Sequence, residues 1–283
     1  MEDSAEVRQP YSLINQGVAW WHVLLGAVAL LNLVLWTMAA AAVIRASAAL
    51  PAAAVFACEL QLLLCAGYVL GCAYRSVLPV FDIPRIVLID SPLSSVMVGR
   101  SVATIAEVCF AAQWAVMLHH IAFLTESPFA QAVALGILPL VLVAEVFSWN
   151  SVLTTDQRGH MVENSLWGLA AALVVASIVM IGPHQLAGLY PLMISWVIGG
   201  TAYASFIVFF DVPMYRTRWL ADEKGGRRYF SITDGIVDAR VRRAVSYQWD
   251  VWKSELLWMS LYFSFGVWSS ISLVYASLAL SHV

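Results

Sequence analysis

The clearest pattern along the chain is a succession of long apolar runs separated by short polar connections. Seven of these runs have about 20 or more mostly apolar residues, which is the length that a transmembrane helix needs. They cover residues 18–44, 50–73, 94–120, 129–149, 163–181, 186–210 and 254–280. The pattern therefore predicts an all-α, polytopic membrane protein in which residues 1–283 form a single domain of seven transmembrane helices.

The composition supports a membrane protein and excludes most other classes. Of the 283 residues, 61% are hydrophobic and only 12% are charged, whereas soluble domains average about 45–50% apolar and about 25% charged residues. A chain of this size cannot hide that much apolar surface inside a water-soluble fold. The net charge of −3 is too small to suggest a nucleic-acid partner, so we expect none.

The basic residues predict how the chain is oriented in the membrane. The connections alternate between short and longer, charged ones, and fourteen of the fifteen lysine and arginine residues fall on the side that carries the N-terminus. Only Arg45 falls on the other side. By the positive-inside rule, we expect the N-terminus in the cytoplasm and the C-terminus on the opposite side. An alanine-rich chain with few lysines favours a bacterial inner membrane as its location.

Two of the charged connections are long enough to form structure of their own. Residues 74–93 mix charged and apolar side chains, which predicts a short amphipathic segment lying along the inner leaflet. Residues 211–253 form the longest connection, and their pattern of charges and aromatic residues predicts a helical cytoplasmic loop. Membrane lipids are the expected contacts of both segments.

Ionisable residues within the apolar spans are the first candidates for a functional site, because charges are costly at mid-membrane. Three glutamates qualify: Glu59, Glu107 and Glu145. Glu107 lies near the middle of its span, and Arg100 precedes it by seven residues on the same helical face. Seven residues correspond to about 10.5 Å of helical rise, so we expect a shared polar stripe through Thr104 without direct contact. The alternative is that these carboxyls are held neutral by hydrogen bonds to neighbouring helices.

A second group of polar residues joins spans four and five. If the fifth helix begins near Gly159, then His160, Glu163 and Asn164 share one face at i, i+3 and i+4. A histidine beside a carboxylate is typical of a general base with its orienting partner, or of part of a metal site. Asn150 and Asp156 lie in the same connection. The alternative is an ordinary polar loop in which Asp156 caps the helix.

Three arginines on the predicted cytoplasmic side are candidates for binding an anionic headgroup: Arg75, Arg85 and Arg100. The guanidinium group offers bidentate hydrogen bonds to carboxylates and phosphates. Arg75 and Arg85 have a simpler alternative role as anchors to lipid phosphates.

The cysteines and the other histidines give weaker evidence for a functional site. Cys58, Cys65 and Cys72 recur every seven residues along one helical stripe, too far apart for disulfides, and we expect free buried thiols. His119, His120, His184 and His282 fall near the side opposite the N-terminus. A metal or haem role there is disfavoured because these residues lie at helix ends. The sequence identifies no metal ligands and no cofactor.

Three functions fit these observations. The first is a membrane enzyme acting on a lipid or other hydrophobic substrate, with Glu107, His160, Glu163 and Asp156 as catalytic residues and Arg75, Arg85, Arg100, Asn150 and Asn164 binding the substrate. The second is a proton-coupled transporter or channel that uses the buried glutamates. The third is a non-catalytic or cofactor-binding subunit of a membrane complex, for which a homo-oligomer or another membrane protein would be the partner.

Overall fold

The structure is a computed structural model that describes residues 15–182 and 187–281 of the chain. Within these ranges, seven helical segments are long and apolar enough to cross a membrane: Gln16–Ser47, Ala52–Val77, Val96–Thr125, Pro128–Thr154, Gln157–Ile181, Tyr190–Lys224 and Trp249–Leu280. The predicted all-α polytopic fold is therefore confirmed. Two of the histidines considered above, His184 and His282, lie outside the described residues.

The described residues form ten α-helices, nine within the spans and one, α8, between the sixth and seventh spans. These are α1 (Gln16–Ser47), α2 (Ala52–Val77), α3 (Val96–Thr125), α4 (Pro128–Thr154), α5 (Gln157–Ile181), α6 (Tyr190–Phe206), α7 (Val212–Lys224), α8 (Ile232–Val241), α9 (Trp249–Leu261) and α10 (Val267–Leu280). Short 3-10 turns cover Pro92–Ser94 and Ala187–Leu189.

The sixth and seventh spans are longer than the apolar runs that predicted them. In the sixth, α6 continues through a π-helical segment, Ile207–Asp211, into α7. In the seventh, α9 and α10 join through a second π-helical segment, Tyr262–Gly266. Apolar composition measures the stretch suited to lipid, whereas the helical backbone continues beyond it. The π-helical turns are widened backbone segments that are frequent at functional sites.

Side-chain caps fix where several spans begin. The side chains of Asn15, Ser95, Ser127 and Asp156 accept hydrogen bonds from backbone N–H groups in the first turns of α1, α3, α4 and α5. Such caps satisfy donors that have no partner inside the helix. Asp156 is the N-cap of α5, so the helix begins at Gln157. This start places His160 and Glu163 in the first two turns of α5.

The connection at residues 74–93 is folded back on itself. It forms a hairpin of two short strands, β1 (Val80–Phe81) and β2 (Ile86–Val87), and β2 pairs in parallel with β3 (Ala244–Val245). Apolar residues can face inward from such a hairpin: Val80 and Val87 are buried in a small core with neighbours from three helices. The alternating pattern that indicated an interfacial segment is satisfied by this packing.

The hairpin and α8 together cover the end of the bundle where α2 joins α3 and α4 joins α5. We call this the charged end. Arg85 ties the parts together, since its guanidinium donates to Asp238 of α8 at 2.8 Å and to the carbonyl oxygens of Asp82 and Val152. Gly235 lies so close to the Leu153 carbonyl that a side chain would not fit there. The charged end is therefore a packed cap.

The bundle core is built around α3, which lies between α2 and α4 and contacts both. Small residues permit close approach: a side chain at Gly71 would meet Ala106 of α3, and one at Gly159 would meet the Phe147 carbonyl oxygen and Ser151 of α4. These approaches bring the polar faces of α3, α4 and α5 within side-chain reach of one another.

Replacing Gly159 tests the close packing of α4 and α5. We expect Gly159→Ala to lower the free energy of unfolding by about 1–3 kcal/mol, because the added methyl group forces the two backbones apart. Gly136→Ala is the matched control, since nothing lies within 4 Å of its added Cβ. Equilibrium unfolding in mixed detergent micelles would measure both. Equal stability of the two variants would contradict this packing.

Candidate functional site

A cluster of four ionisable side chains lies inside the bundle towards the charged end. Arg100 and Glu107 come from α3, Glu145 from α4 and Glu163 from α5. All four residues are only 4–8% exposed. We call them the carboxylate cluster. Each helix presents its acidic side chain on the face that packs against the other two helices.

Arg100 is at the centre of the carboxylate cluster. Its Nη2 donates to Glu107 Oε2 and to Glu145 Oε2, both at 2.7 Å, and its Nη1 lies 3.6 Å from Glu163 Oε1. The expectation that Arg100 and Glu107 do not touch was wrong. The helical rise separates their Cα atoms, but the Glu107 side chain leans towards the helix N-terminus and the arginine is long enough to meet it.

Thr104 and Trp149 hold Glu145 in place. Thr104 Oγ1 donates to Glu145 Oε2 at 2.6 Å and accepts a hydrogen bond from Trp149 Nε1 at 3.0 Å. Thr104 lies on the polar stripe predicted from the sequence, whereas the role of Trp149 was not predicted. Its position four residues after Glu145, on the same helical face, was the available signal.

His160 and Glu163 form a close pair beside the carboxylate cluster. His160 Nδ1 lies 2.6 Å from Glu163 Oε2, and both residues are buried. The imidazole ring also lies 5.1 Å from the ring of Tyr215 in α7, centroid to centroid. Asn164 donates to the His160 backbone carbonyl at 2.9 Å, so its amide engages the backbone of α5. Glu163 therefore links the histidine to Arg100.

Several other candidate residues lie outside the carboxylate cluster. Asp156 caps α5 and forms an ion pair with Arg158 at 2.7 Å, and Asn150 is exposed near the end of α4. Glu59 is also exposed, on α2, so counting it among the buried glutamates was wrong. Helix rotation decides this difference: Glu59 points away from the bundle interior, and Glu107 points into it.

All three arginines proposed for headgroup binding form ion pairs within the protein. Arg75 lies 3.6 Å from Asp82 and donates to the Val80 carbonyl at 3.3 Å. Arg85 is fully buried and bound to Asp238, and Arg100 is held by the glutamates. An anionic ligand would have to compete with an internal carboxylate at each of them.

The histidines at the opposite end do not converge in the described part of the chain. His119 Nδ1 lies 2.9 Å from the Gln131 amide nitrogen. His120 is the next residue on the same helix and therefore points in a different direction.

The electrostatics of the carboxylate cluster are unbalanced. Oxygen atoms of the three carboxyls lie within 4.8 Å of one another, and one guanidinium contacts all three. Burying an unpaired charge costs several kcal/mol per ion, so three ionised carboxylates beside one arginine are strongly disfavoured. Carboxylate oxygens at this spacing suit a hard cation, but Arg100 already places a positive charge there. Proton binding by one or more of the glutamates relieves the excess negative charge.

Two features suit the binding of water at the carboxylate cluster. Glu145 Oε1 is buried with no hydrogen-bond partner among the described residues, and such groups commonly bind ordered water. A narrow crevice of about 10 Å³ borders Glu107 and is also lined by Cys72, Arg75 and Tyr262. That volume corresponds to about one water molecule.

Comparison with known proteins does not supply a function. The chain matches no protein-family model, no curated protein and no solved structure. The function is therefore inferred from the site alone.

Removing the central arginine tests the electrostatic account. We expect Arg100→Gln to destabilise the fold by about 3–5 kcal/mol, because it leaves the buried glutamates without their cation. Adding Glu145→Gln to that variant should restore part of the loss, since one buried charge is removed. Equilibrium unfolding in mixed micelles would measure both.

Arg45→Gln is the matched control for this experiment, because Arg45 is exposed in the last turn of α1. If Arg100→Gln proves as stable as Arg45→Gln, Arg100 does not balance buried charge.

Proposed function

We propose that this protein conducts protons across the membrane and that the carboxylate cluster is the proton-binding site along the way. One observation carries the proposal: three buried carboxyls share a single guanidinium. A site with more carboxyls than positive charges holds a proton readily. The ion pairs with Arg100 stabilise the negative charge that is left when the proton moves on.

The depth of Glu107 supports transfer across the membrane. It is eleven residues from the first residue of α3, which corresponds to about 16 Å of rise. The apolar core of a bilayer is about 30 Å thick, and we place the start of α3 at its edge, which puts Glu107 near mid-depth. Buried ionisable groups at such depth are typical of proton relays.

The His160–Glu163 pair gives the carboxylate cluster a connection towards the charged end. Glu163 contacts Arg100 on one side and His160 on the other, and His160 lies one turn nearer the start of α5. An imidazole ring has two nitrogen atoms, one of which can accept a proton while the other releases one. A proton leaving the glutamates would therefore pass through this pair. We keep the cytoplasm as the proposed compartment on that side and the bacterial inner membrane as the proposed location.

Replacing Glu107 tests the proposal. Purified protein in liposomes containing a pH-sensitive dye would be driven by a potassium gradient with valinomycin. We expect the wild-type protein to carry protons well above protein-free liposomes, and Glu107→Gln to lower that flux at least tenfold, because the amide cannot bind and release a proton.

The matched control is Glu59→Gln, the same substitution at an exposed position in the neighbouring helix, which should leave the flux within twofold of wild type. Wild-type flux no greater than that of protein-free liposomes would refute the proposed function.

A second candidate function is the membrane enzyme acting on a lipid or other hydrophobic substrate. It is favoured by the 2.6 Å contact between His160 and Glu163, a geometry suited to a general base and its orienting carboxylate. Glu107 would then serve as a second acid or base. The ion pairs of Arg75 and Arg85 weaken the case for an enzyme, because these arginines already bind internal carboxylates and are not free to bind a substrate headgroup.

Lipid turnover distinguishes the two functions, and replacing His160 tests its role in the second. If the protein is an enzyme, incubation with a total lipid extract should consume a particular lipid, as measured by mass spectrometry, and His160→Ala should slow that reaction by 10²–10⁴-fold. We expect no lipid to be consumed if the protein is a proton conductor. Turnover that persists in His160→Ala would remove this histidine from the catalytic group.

A further inference from the structure

The buried face of α2 is polar along almost its whole length. Its buried residues include six polar, ionisable or thiol side chains at alternating steps of three and four: Cys58, Gln61, Cys65, Tyr68, Cys72 and Arg75. We call this line the α2 polar stripe. The 17 steps from Cys58 to Arg75 correspond to about 25 Å of rise, which is most of the thickness of an apolar bilayer core.

A hydrogen-bonded group occupies the middle of the α2 polar stripe. Gln61 Nε2 donates to the backbone carbonyl of Gln113 at 3.0 Å, and Gln113 Nε2 donates back to the Gln61 carbonyl at 3.1 Å. Ser270 of α10 donates to Gln113 Oε1 at 2.5 Å and lies 3.3 Å from Cys65 Sγ. Three helices thus contribute polar groups to one place in the bundle interior.

The stripe continues towards the end of the bundle opposite the charged end. Cys58 Sγ lies 3.6 Å from Ser277 Oγ, and both residues are buried. Ser277 is three residues from the last residue of α10, and Cys58 is six residues from the first residue of α2. The polar groups therefore reach to within about two helical turns of that end.

Two tyrosines connect the middle of the stripe to the carboxylate cluster. The rings of Tyr68 and Tyr262 lie 5.8 Å apart, centroid to centroid, and both hydroxyl oxygens are buried without a partner at hydrogen-bonding distance in the described chain. Tyr262 lies in the π-helical segment and, with Cys72, lines the crevice beside Glu107. Buried hydroxyls of this kind commonly bind water.

We infer that the α2 polar stripe is the route by which protons reach Glu107 from the end of the bundle opposite the charged end. This inference rests on the proposed function. Each hydroxyl or water along the route accepts one proton and releases another, so none is consumed, and Glu107 takes up the proton that arrives. The amides of the Gln61–Gln113 pair do not exchange protons readily, so the proposed transfer at this level passes through the Ser270 hydroxyl and the Cys65 thiol beside it.

The crevice at Glu107 restricts what can pass. Space for about one water molecule admits a proton carried by water and hydroxyl groups, whereas a hydrated metal ion or an organic solute is larger. The simpler alternative is that the stripe only joins helices, since interhelical hydrogen bonds also stabilise membrane bundles. If the stripe is a proton route, removing one hydroxyl lowers the proton flux. If the stripe only joins helices, the flux is unchanged.

Tyr262→Phe and Ser270→Ala test the route. Each variant removes one hydroxyl, and the Tyr262 hydroxyl oxygen is buried with no hydrogen bond of standard geometry to the described residues, so that variant should fold normally. We expect each to lower proton flux in liposomes at least tenfold. The matched controls on α10 are Tyr275→Phe, at an exposed position, and Ser272→Ala, whose hydroxyl pairs with Trp196 away from the stripe. Both controls should stay within twofold of wild type.

A second measurement separates the route from the binding site. Infrared difference spectra between high and low pH should show a carboxyl band that Glu107→Gln removes, and Tyr262→Phe should retain that band while losing flux. Flux within twofold of wild type in Tyr262→Phe and Ser270→Ala would overturn the route and leave the proposed function standing. Loss of the carboxyl band in Tyr262→Phe would also overturn it, because the tyrosine would then act on the site. If the wild-type protein carries no protons, both proposals fail.

Discussion

The requirement to balance charge inside a low-dielectric bundle governs the arrangement of α3, α4 and α5. Arg100 is buried and needs an acidic partner, and the three glutamates need a cation or protons. One guanidinium can contact all three carboxyls only if the helices keep a particular rotation and depth relative to each other. The close approach at Gly159 and the hydrogen bonds of Thr104 help to maintain that arrangement. The same constraint leaves an excess of carboxyls, and this excess is the basis of the proposed proton binding.

The same requirement for internal charge balance organises the charged end. Arg85 is fully buried and joins three segments that are far apart in sequence, through Asp238, the hairpin and the end of α4. Arg75 and Asp82 form a second pair between α2 and the hairpin. Because these basic side chains are neutralised internally, the cap is a structural closure over the carboxylate cluster. Its two buried arginines, Arg75 and Arg85, are engaged in contacts that hold the fold together.

The interior of the bundle combines this charged site with the α2 polar stripe, whose side chains are neutral except for Arg75. Glu107 lies where the two meet, at a crevice that Tyr262 and Cys72 also line. The π-helical segment Tyr262–Gly266 shifts the helical register in this region, and a side chain at Gly266 would collide with the Tyr68 hydroxyl. Polar groups that are costly in a membrane thus form one connected set of helix faces.

The sequence alone determined the features that depend on local pattern. Apolar run length fixed the seven spans, and helical spacing placed His160 and Glu163 on one face. The sequence could not show which glutamates share a site, because that depends on how each helix is rotated against its neighbours. Glu59 faces outward, Glu163 joins Arg100, and Asp156 caps its helix. The Arg100–Glu107 contact depends on side-chain reach, which spacing between Cα atoms does not describe. Likewise, the cysteine repeat marked one face of α2, but only the packing of α3 and α10 brought Gln113 and Ser270 against it.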